Sequence, residues 1–285
     1  MEIGIYILPA TAAVLLLELL RGAHRGIYSR NDFATLILCI AVARVVTRPF
    51  LALAIAFVLT TLFPAGRGAL ADIAFLPAYL VLLFACEFTF YWVHRWAHEA
   101  KGKPGRDWLW KLHRTHHAGK YMNVLVTLRI HPLWTLFVPT TWLLGAAVYF
   151  GQEPAAVASL LTVYGWNLVT HAHFRWDDNL RRSPRFGRAF RAVEKFLVSP
   201  GIHHTHHGYG RDGAAYRNYA VTFSFLDRLF GTLHIPDGRP AQYGLPGPTP
   251  PWYEEVFFPL FGWARGRRAA RDAAVSNQNA APETR

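Results

Sequence analysis

The sequence predicts an all-α integral membrane protein with about four to five transmembrane or re-entrant helices and a helical, histidine-rich cap on the cytoplasmic side. Three observations carry this prediction. Charged residues make up only 17% of the 285 residues, against about a quarter in an average soluble domain. Hydrophobic residues make up 52% and are concentrated in long runs. Thirteen of the fourteen histidines lie between His94 and His234.

Five apolar segments are the candidate membrane helices, because a helix needs about 20 apolar residues to cross a bilayer and shorter segments can re-enter. They are roughly residues 5–20, 33–63, 70–93, 132–150 and 154–170. Arg44, Arg48 and Pro49 interrupt the second segment. We therefore expect residues 33–48 to lie along the interface and the crossing to cover about 49–65.

The distribution of charge gives the orientation. The net charge is +12, and the basic residues fall between and after the apolar segments, where they fit anionic lipid headgroups rather than nucleic acid. The loop over 94–131 and the chain after 171 are rich in Lys and Arg. The positive-inside rule therefore places every histidine cluster on the cytoplasmic side. The first segment lacks a basic start and a small-residue cleavage site, so it is predicted to be a retained span.

Four regions are predicted along the chain. They are N-terminal membrane helices over 1–74, a histidine-rich domain over 75–235, an interfacial aromatic segment over 236–265 and a disordered tail over 266–285. The two cysteines, Cys39 and Cys86, lie in apolar runs. A disulfide framework or a thiolate metal site is therefore not expected.

The histidines form one H-x3-H and two H-x2-H-H clusters. Residues three or four apart share one face of a helix, so each cluster can present several imidazoles to a metal. Eight imidazoles exceed the roughly four to six ligands of one first-row ion, and they suit a two-metal site that could hold Zn, Cu, Fe or Ni. The eight are His94, His98, His113, His116, His117, His203, His206 and His207.

Further candidates lie near these clusters. His171, at the end of the fifth apolar segment, is a ninth candidate ligand, and either Asn167 or His173 beside it could complete a metal shell. Glu87 shares a helical face with His94 and lies deeper in the membrane, where an ionisable residue is usually functional and could orient a ligand. The remaining histidines are predicted to be structural because they are isolated or occupy a spacer position. They are His24, His131, His204 and His234.

The clusters and their flanks resemble the fatty acid hydroxylase/sterol desaturase superfamily over about residues 75–235. The segments 87–98, 112–117 and 199–208 are similar to its three histidine boxes, with Glu87 where an Asp is common. Asn218-Tyr219 and the run 226–232 resemble the end of that domain. Asp227, in this run, is a further candidate to bind metal or to orient a ligand.

The resemblance implies a membrane-bound, non-haem di-iron oxidoreductase that uses O2 to hydroxylate or desaturate a C–H bond of a lipid such as a sterol or fatty acyl chain. It implies two Fe ions, which zinc can replace in purified protein. Electrons would come from a separate NAD(P)H-dependent donor such as a ferredoxin or a cytochrome b5-like protein, because the sequence carries no dinucleotide fingerprint, haem-attachment motif or iron–sulfur cysteines. The basic cytoplasmic face suits an acidic donor.

Three alternatives remain open at this stage. A carotenoid-type hydroxylase has similar histidine boxes. A non-catalytic membrane protein could use the same residues for structural zinc, which prefers closed four-coordinate sites. A transporter fits less well, because its polar residues should lie at the middle of the bilayer. The sequence leaves open which lipid is bound, whether it is hydroxylated or desaturated, and the oligomeric state.

Overall fold

The computed structural model of the chain describes residues 4–260, and these form a mainly helical structure. The predicted disordered tail over 266–285 and the end of the predicted aromatic segment lie outside the described residues. Two helical runs, Arg30–Leu62 and Phe75–Glu99, are long and apolar enough to cross a membrane, and a shorter apolar helix precedes them. The number of crossings beyond these two stays a prediction.

The N-terminal part differs from the prediction at the second apolar segment. Helix α1 (Gly4–Leu20) is followed by α2 (Arg30–Val42), a π-helical turn (Ala43–Thr47) and α3 (Arg48–Leu62). One helical run passes Arg44, Arg48 and Pro49 without ending and includes a π turn, where a break had been expected. That residues 33–48 lie along the interface and that the crossing covers about 49–65 stays a prediction. The turn closes with a bond from Arg48 N to Ala43 O. Pro49 then occupies the first turn of α3, directly after the π turn, and the helical run continues through it.

Helix α4 (Phe75–Glu99) joins the membrane region to the histidine clusters. It extends past the predicted end of the third apolar segment and carries His94 and His98 on its last turns. The prediction that the first cluster continues the third apolar helix is confirmed by these bounds. Helix α5 (Trp108–His117) follows and carries the second cluster.

The fourth apolar segment is divided rather than continuous. A 3-10 turn (Val124–Leu128) precedes α6 (Trp134–Phe137), α7 (Pro139–Tyr149) and α8 (Glu153–His171). Val138 is extended because Pro139 follows it and starts a new helix, so 132–150 is two helices. Gly145 of α7 lies against Ile55 of α3, and a Cβ there would come within 2.9 Å of the Ile55 side chain.

Short elements complete the cap. They are α9 (Trp176–Arg182), α10 (Gly187–Val193), α11 (Pro200–His207), β1 (Gly208–Tyr209), α12 (Ser224–Leu229), β2 (Gln242–Tyr243) and α13 (Trp252–Val256). The two strands pair antiparallel, with Gly208 opposite Tyr243. Every residue of α11, which carries the third histidine cluster, is buried. The predicted aromatic segment contributes α13, where Glu255 is fully buried.

Candidate metal centre

Nine buried histidines converge in two groups. Within each group the potential ligand atoms all lie within 4.8 Å of one another. The five-histidine group is His94, His98, His113, His117 and His206, and the four-histidine group is His116, His171, His203 and His207. The structure therefore brings together all eight clustered histidines and His171.

The two groups interleave on the same helices. Helix α5 gives His113 and His117 to the five-histidine group and His116 to the other. Helix α11 does the reverse, because His203 and His207 join the four-histidine group while His206 joins the five. Neighbouring helical residues point about 100° apart, so each adjacent histidine pair divides between the groups. The His117 and His207 rings stack with their centroids 4.3 Å apart where the groups meet.

Backbone carbonyls fix the tautomer of four of these imidazoles. The Nδ1 atoms of His94 and His206 bond the carbonyl oxygens of Tyr219 and Arg217 at 2.6 and 2.8 Å. His116 Nδ1 bonds Val126 O at 3.1 Å, and His171 bonds the carbonyl one turn before it at 2.8 Å. A carbonyl oxygen only accepts, so each Nδ1 carries the proton and each Nε2 presents a lone pair.

These lone pairs face one another inside the groups. His94 Nε2 lies 3.0 Å from His206 Nε2, and His116 Nε2 lies 3.2 Å from His171 Nε2. Two unprotonated nitrogens cannot hydrogen-bond to each other, and a cation bound by both would compensate their approach in a buried site. The residues therefore fit a metal ion in each group.

The spacing of the nitrogens is short enough for two imidazoles to bind the same metal ion. Two imidazole nitrogens about 2.1 Å from one ion lie about 3.0 Å apart when the bonds meet at right angles, and about 3.4 Å apart at the tetrahedral angle. The Nε2 atoms of His203 and His171 are 3.0 Å apart, as are those of His117 and His113. With the His116–His171 separation of 3.2 Å, the four distances lie between these two values and are compatible with shared ligation of an ion in either arrangement.

The imidazoles of α5 and α11 are neutral, which metal binding requires. Burial, and then the neighbouring histidines, hold the pKa of His113, His116 and His117 well below the usual 6.5. Burial also lowers the pKa of His206 to about 4, although its bond to the Arg217 carbonyl opposes the shift. Protons therefore do not compete with a metal at these residues near neutral pH.

A buried ionic network holds α11 in place. The Asp177 carboxylate accepts a 2.6 Å bond from Gly201 N in the first turn of α11, where a negative charge is favourable. The Arg181 guanidinium bonds both Asp177 and Glu194. The Ser199 hydroxyl caps the helix by accepting from Ile202 N at 3.3 Å. These groups fix the direction in which the third cluster points.

The other predicted site residues lie outside the two groups. Asn167 takes part through its backbone carbonyl, and its buried side-chain Oδ1 has no hydrogen-bond partner among the described residues. His173 is exposed, and its backbone N donates to Glu18. Glu87 accepts bonds from Thr222, and Asp227 accepts bonds from the backbone of the preceding loop, so both carboxylates hold loop backbone.

The histidines predicted to be structural have other partners. His24 bonds Glu18 and Tyr28 through its two ring nitrogens. His131 Nδ1 accepts from the backbone N two residues later, and His204 Nδ1 lies 3.2 Å from the Tyr243 hydroxyl. The His234 backbone N donates to the side chain of Asn218. None of these four belongs to either group within the described part of the chain.

Sequence reasoning missed the groups that orient the ligands. The carbonyls of Arg217, Tyr219 and Val126 are backbone atoms, so residue types give no sign of them. The motif Asn218-Tyr219 was the available signal: Asn218 has a φ of 60°, a conformation that Asn tolerates and that shapes the loop around the Tyr219 carbonyl. On the apolar side of the site the sequence offers Trp134 as an aromatic residue near the clusters, and its ring centroid lies 4.6 Å from that of His113.

Comparison with known proteins gives relatives of one kind. Over 167 residues the chain is 29% identical to alkylglycerol monooxygenase of Xenopus tropicalis, covering 57% of this chain and 31% of the relative. It is 28% identical to methylsterol monooxygenase 2-1 of Arabidopsis thaliana, covering 51% and 52%. It is also 28% identical to the ornithine lipid hydroxylase of Rhizobium tropici, covering 56% and 42%. The chain thus spans about a third to a half of these relatives, and no solved structure matches it.

A family model adds the assignment. The model described as fatty acid hydroxylase matches residues 79–232. This range is more than half of the chain and contains all nine histidines of the two groups. By this match the chain belongs to the fatty acid hydroxylase family.

Proposed function

We propose that this chain is a membrane-bound oxidoreductase that uses O2 to hydroxylate a C–H bond of a lipid at a centre of two iron ions. The named relatives are monooxygenases and a hydroxylase that act on alkylglycerol, methylsterol and ornithine lipid. These names favour hydroxylation over desaturation. They share a lipid substrate and differ in its headgroup and skeleton, so the substrate class proposed here is a lipid with an unactivated C–H bond.

The observation that carries the proposal is the pairing of Nε2 lone pairs in each histidine group. In the five-histidine group the pair is His94 and His206, and in the four-histidine group it is His116 and His171. All four rings have their other nitrogen committed to a carbonyl. Two ions are proposed because the groups are separate sets of ligands, and iron is proposed because the family implies it.

Iron bound in these groups would supply the O2 activation and C–H oxidation that amino-acid side chains cannot perform. The chain's own residues hold and shield it. The carbonyl bonds fix the imidazole orientations. The ring centroid of Phe90 lies 5.2 Å from that of His94, and the ring centroid of Trp134 lies 4.6 Å from that of His113. These apolar walls would exclude water and offer a surface on which a lipid chain can lie.

The proposed placement in the membrane follows from the helices. His94 and His98 lie on the last turns of α4, and His171 is the last residue of α8. The two helices therefore end at the metal centre, on the side where exposed Lys101, Lys103 and Arg106 follow α4. By the positive-inside rule this side would be cytoplasmic, and the protein would be multi-pass. The exposed cations there would also suit an acidic electron-donor protein.

The first test is the metal content of the purified protein, prepared anaerobically in detergent after expression with added iron. Mass spectrometry of the metals should give about two irons per chain, and O2 uptake should require a reductant and a donor protein. Lipid extracts incubated with the loaded enzyme should contain species heavier by one oxygen atom. The matched control is His116→Ala, which should lose metal, O2 uptake and product together.

Zinc at full occupancy, with no O2 uptake after iron reconstitution, would refute the oxygenase proposal and favour a structural metal centre. Zinc that iron replaces, with activity appearing on replacement, would support the proposal, because it would mean that expression had loaded the wrong ion. New double bonds in place of added oxygen would keep the metal centre and correct the reaction to desaturation.

A further inference from the structure

One loop supplies the acceptors for several ligands of the five-histidine group. Tyr219 O bonds His94 Nδ1 at 2.6 Å, and Arg217 O bonds His206 Nδ1 at 2.8 Å. His98 has a backbone hydrogen bond with Ala215 in the same loop. The loop therefore orients histidines that come from two different helices, α4 and α11. Whatever fixes this loop also fixes the directions of those imidazoles.

The peptide group between Tyr219 and Ala220 is held at both ends. Its carbonyl oxygen accepts the proton of His94 Nδ1. Its N–H, on Ala220, donates to Asp227 Oδ2 at 3.0 Å. A carboxylate, a peptide group and an imidazole thus form one chain of hydrogen bonds. In such a chain each bond polarises the next, so the carboxylate strengthens the bond that the carbonyl makes to the imidazole.

The Asp227 carboxylate is itself firmly placed. It is fully buried in α12, and Oδ1 accepts from Tyr219 N at 2.7 Å and from the Thr232 hydroxyl at 2.7 Å. The Thr232 oxygen lies 2.8 Å from the hydroxyl of Tyr91, which is on α4 three residues before His94. The carboxylate is therefore linked to the helix that carries His94 by two routes, one through a peptide and one through side chains.

We propose that Asp227 is a positioning residue for the five-histidine group. Acting through the Tyr219–Ala220 peptide, it holds His94 in the tautomer with the proton on Nδ1, so that Nε2 faces His206 as a metal ligand. The inference rests on the proposed metal centre. It adds to that centre a carboxylate that acts through a peptide group and not through a hydrogen bond to a histidine. Partners that orient a ligating histidine and raise its basicity typically change metal affinity by about 10–100-fold when they are removed.

The test compares Asp227→Asn with Thr222→Val in the full-length protein in detergent. Asparagine keeps the size of the side chain, but its amide nitrogen cannot accept a backbone N–H. Thr222 is buried two residues beyond Ala220, and valine there removes its 3.0 Å bond to Glu87 without touching the Tyr219–Ala220 peptide. Both variants lose hydrogen bonds of the same loop, so both should melt at a lower temperature than the wild type.

The readouts are the rate at which a chelator removes iron and the visible absorption spectrum of the cobalt-substituted protein. Asp227→Asn should release one of its two irons about 10–100 times faster than the wild type, and one set of cobalt bands should shift. Thr222→Val should match the wild type in both. If Asp227→Asn fails to fold, Thr232→Val, which keeps the carboxylate but removes one of its donors, should show a smaller change in the same direction.

The outcomes separate this inference from the proposed function. If the wild type holds two irons and Asp227→Asn, or Thr232→Val in its place, releases them at the wild-type rate with an unchanged cobalt spectrum, the positioning role is wrong and the metal centre stands. If Thr222→Val accelerates iron release as much as Asp227→Asn, the carboxylate only stabilises the loop and the role is again wrong. A wild type that binds no transition metal would overturn both.

Discussion

The buried ion pair of Arg129 and Glu255 offers a sharp test of how the cap is held around the second histidine cluster. Both side chains are fully buried, with Arg129 Nη2 2.5 Å from Glu255 Oε2. The same guanidinium bonds Asp32 of α2 at 2.9 Å and the carbonyl of Thr115, next to His116, at 2.9 Å. Arg129→Met should therefore remove the bonds that connect α2, α5 and α13 and lower the stability of the protein.

The magnitude follows from the charge that the substitution leaves behind. Removing one partner of a buried ion pair typically costs about 3–5 kcal/mol, because the other group must either stay charged without compensation or take up a proton. Burial already raises the pKa of Glu255 to about 7, against the opposing effect of Arg129. A charge about 4 Å away contributes about 4 kcal/mol at an effective dielectric constant of 20, which corresponds to roughly three pKa units. Without Arg129, the pKa of Glu255 should therefore rise well above 8.

The sign of the pH dependence follows from linkage. A carboxyl whose pKa is higher in the folded state than in the unfolded state stabilises the fold at low pH, and this contribution is lost as pH rises towards the folded pKa. In the wild type that loss is complete near pH 7, whereas in Arg129→Met it continues beyond pH 8. The loss in free energy of unfolding that Arg129→Met causes should therefore be larger at pH 8 than at pH 6, by on the order of 1 kcal/mol.

The assay is unfolding of the detergent-solubilised protein in graded SDS at pH 6 and pH 8, followed by far-UV circular dichroism. The control is the double variant Arg129→Met/Glu255→Gln, in which the buried group can no longer ionise. It should be more stable than Arg129→Met at pH 8. Because Gln does not titrate, the free energy of unfolding of the double variant lacks the pH dependence of Glu255, and its deficit relative to the wild type should be smaller at pH 8 than at pH 6. An equal deficit of Arg129→Met at pH 6 and pH 8 would refute the reasoning.

Three further substitutions test the metal centre itself, and a fourth, His24→Ala, is the control. His206→Ala and His116→Ala each remove a ligand from a different group, so each should lower bound metal by about one ion per chain while the protein still inserts into membranes. The control is His24→Ala, because the His24 ring bonds Glu18 and lies outside both groups. It should keep full metal when the metal content is measured by mass spectrometry. Gly201→Ala places a Cβ about 2.7 Å from Asp177 Oδ2, and such overpacking typically costs about 1–3 kcal/mol. Its thermal melting point should fall, and metal should be lost from the four-histidine group first.

The helices that carry the ligands were predictable from sequence, but the group to which each histidine belongs was not. The spacing of His113, His116 and His117 requires a helix if their side chains are to lie near one another, and α5 confirms it. Spacing alone does not say that His116 turns to His171, because that choice depends on where α8 packs. The adjacent residues His116 and His117 belong to different groups. The spacing of the histidines does not show whether such neighbours bind the same metal or two different ones.

In the apolar region the positions of the segments were predictable from sequence, but the local backbone at two prolines was not. Hydropathy placed the apolar segments well, but it did not predict how the chain passes Pro49 or Pro139. At Pro49 a π turn lies directly before the proline, and the helical run continues. At Pro139 the preceding Val138 is extended, and the segment becomes two helices. The same residue type has opposite consequences because the bonding of the preceding turn, which hydropathy does not encode, differs between the two sites.

The interleaving of the groups has a mechanical consequence for the whole centre. Helices α5 and α11 each give ligands to both groups, so a shift of either helix changes the surroundings of both metals at once. The residues that hold these helices lie far apart in sequence: Arg129 bonds the carbonyl of Thr115 in α5, and Asp177 bonds the first turn of α11. Two buried ionic networks thus hold the two helices that carry ligands of both groups. The basic residues that sequence analysis assigned to lipid headgroups and to an acidic donor therefore include two, Arg129 and Arg181, that support the ligands.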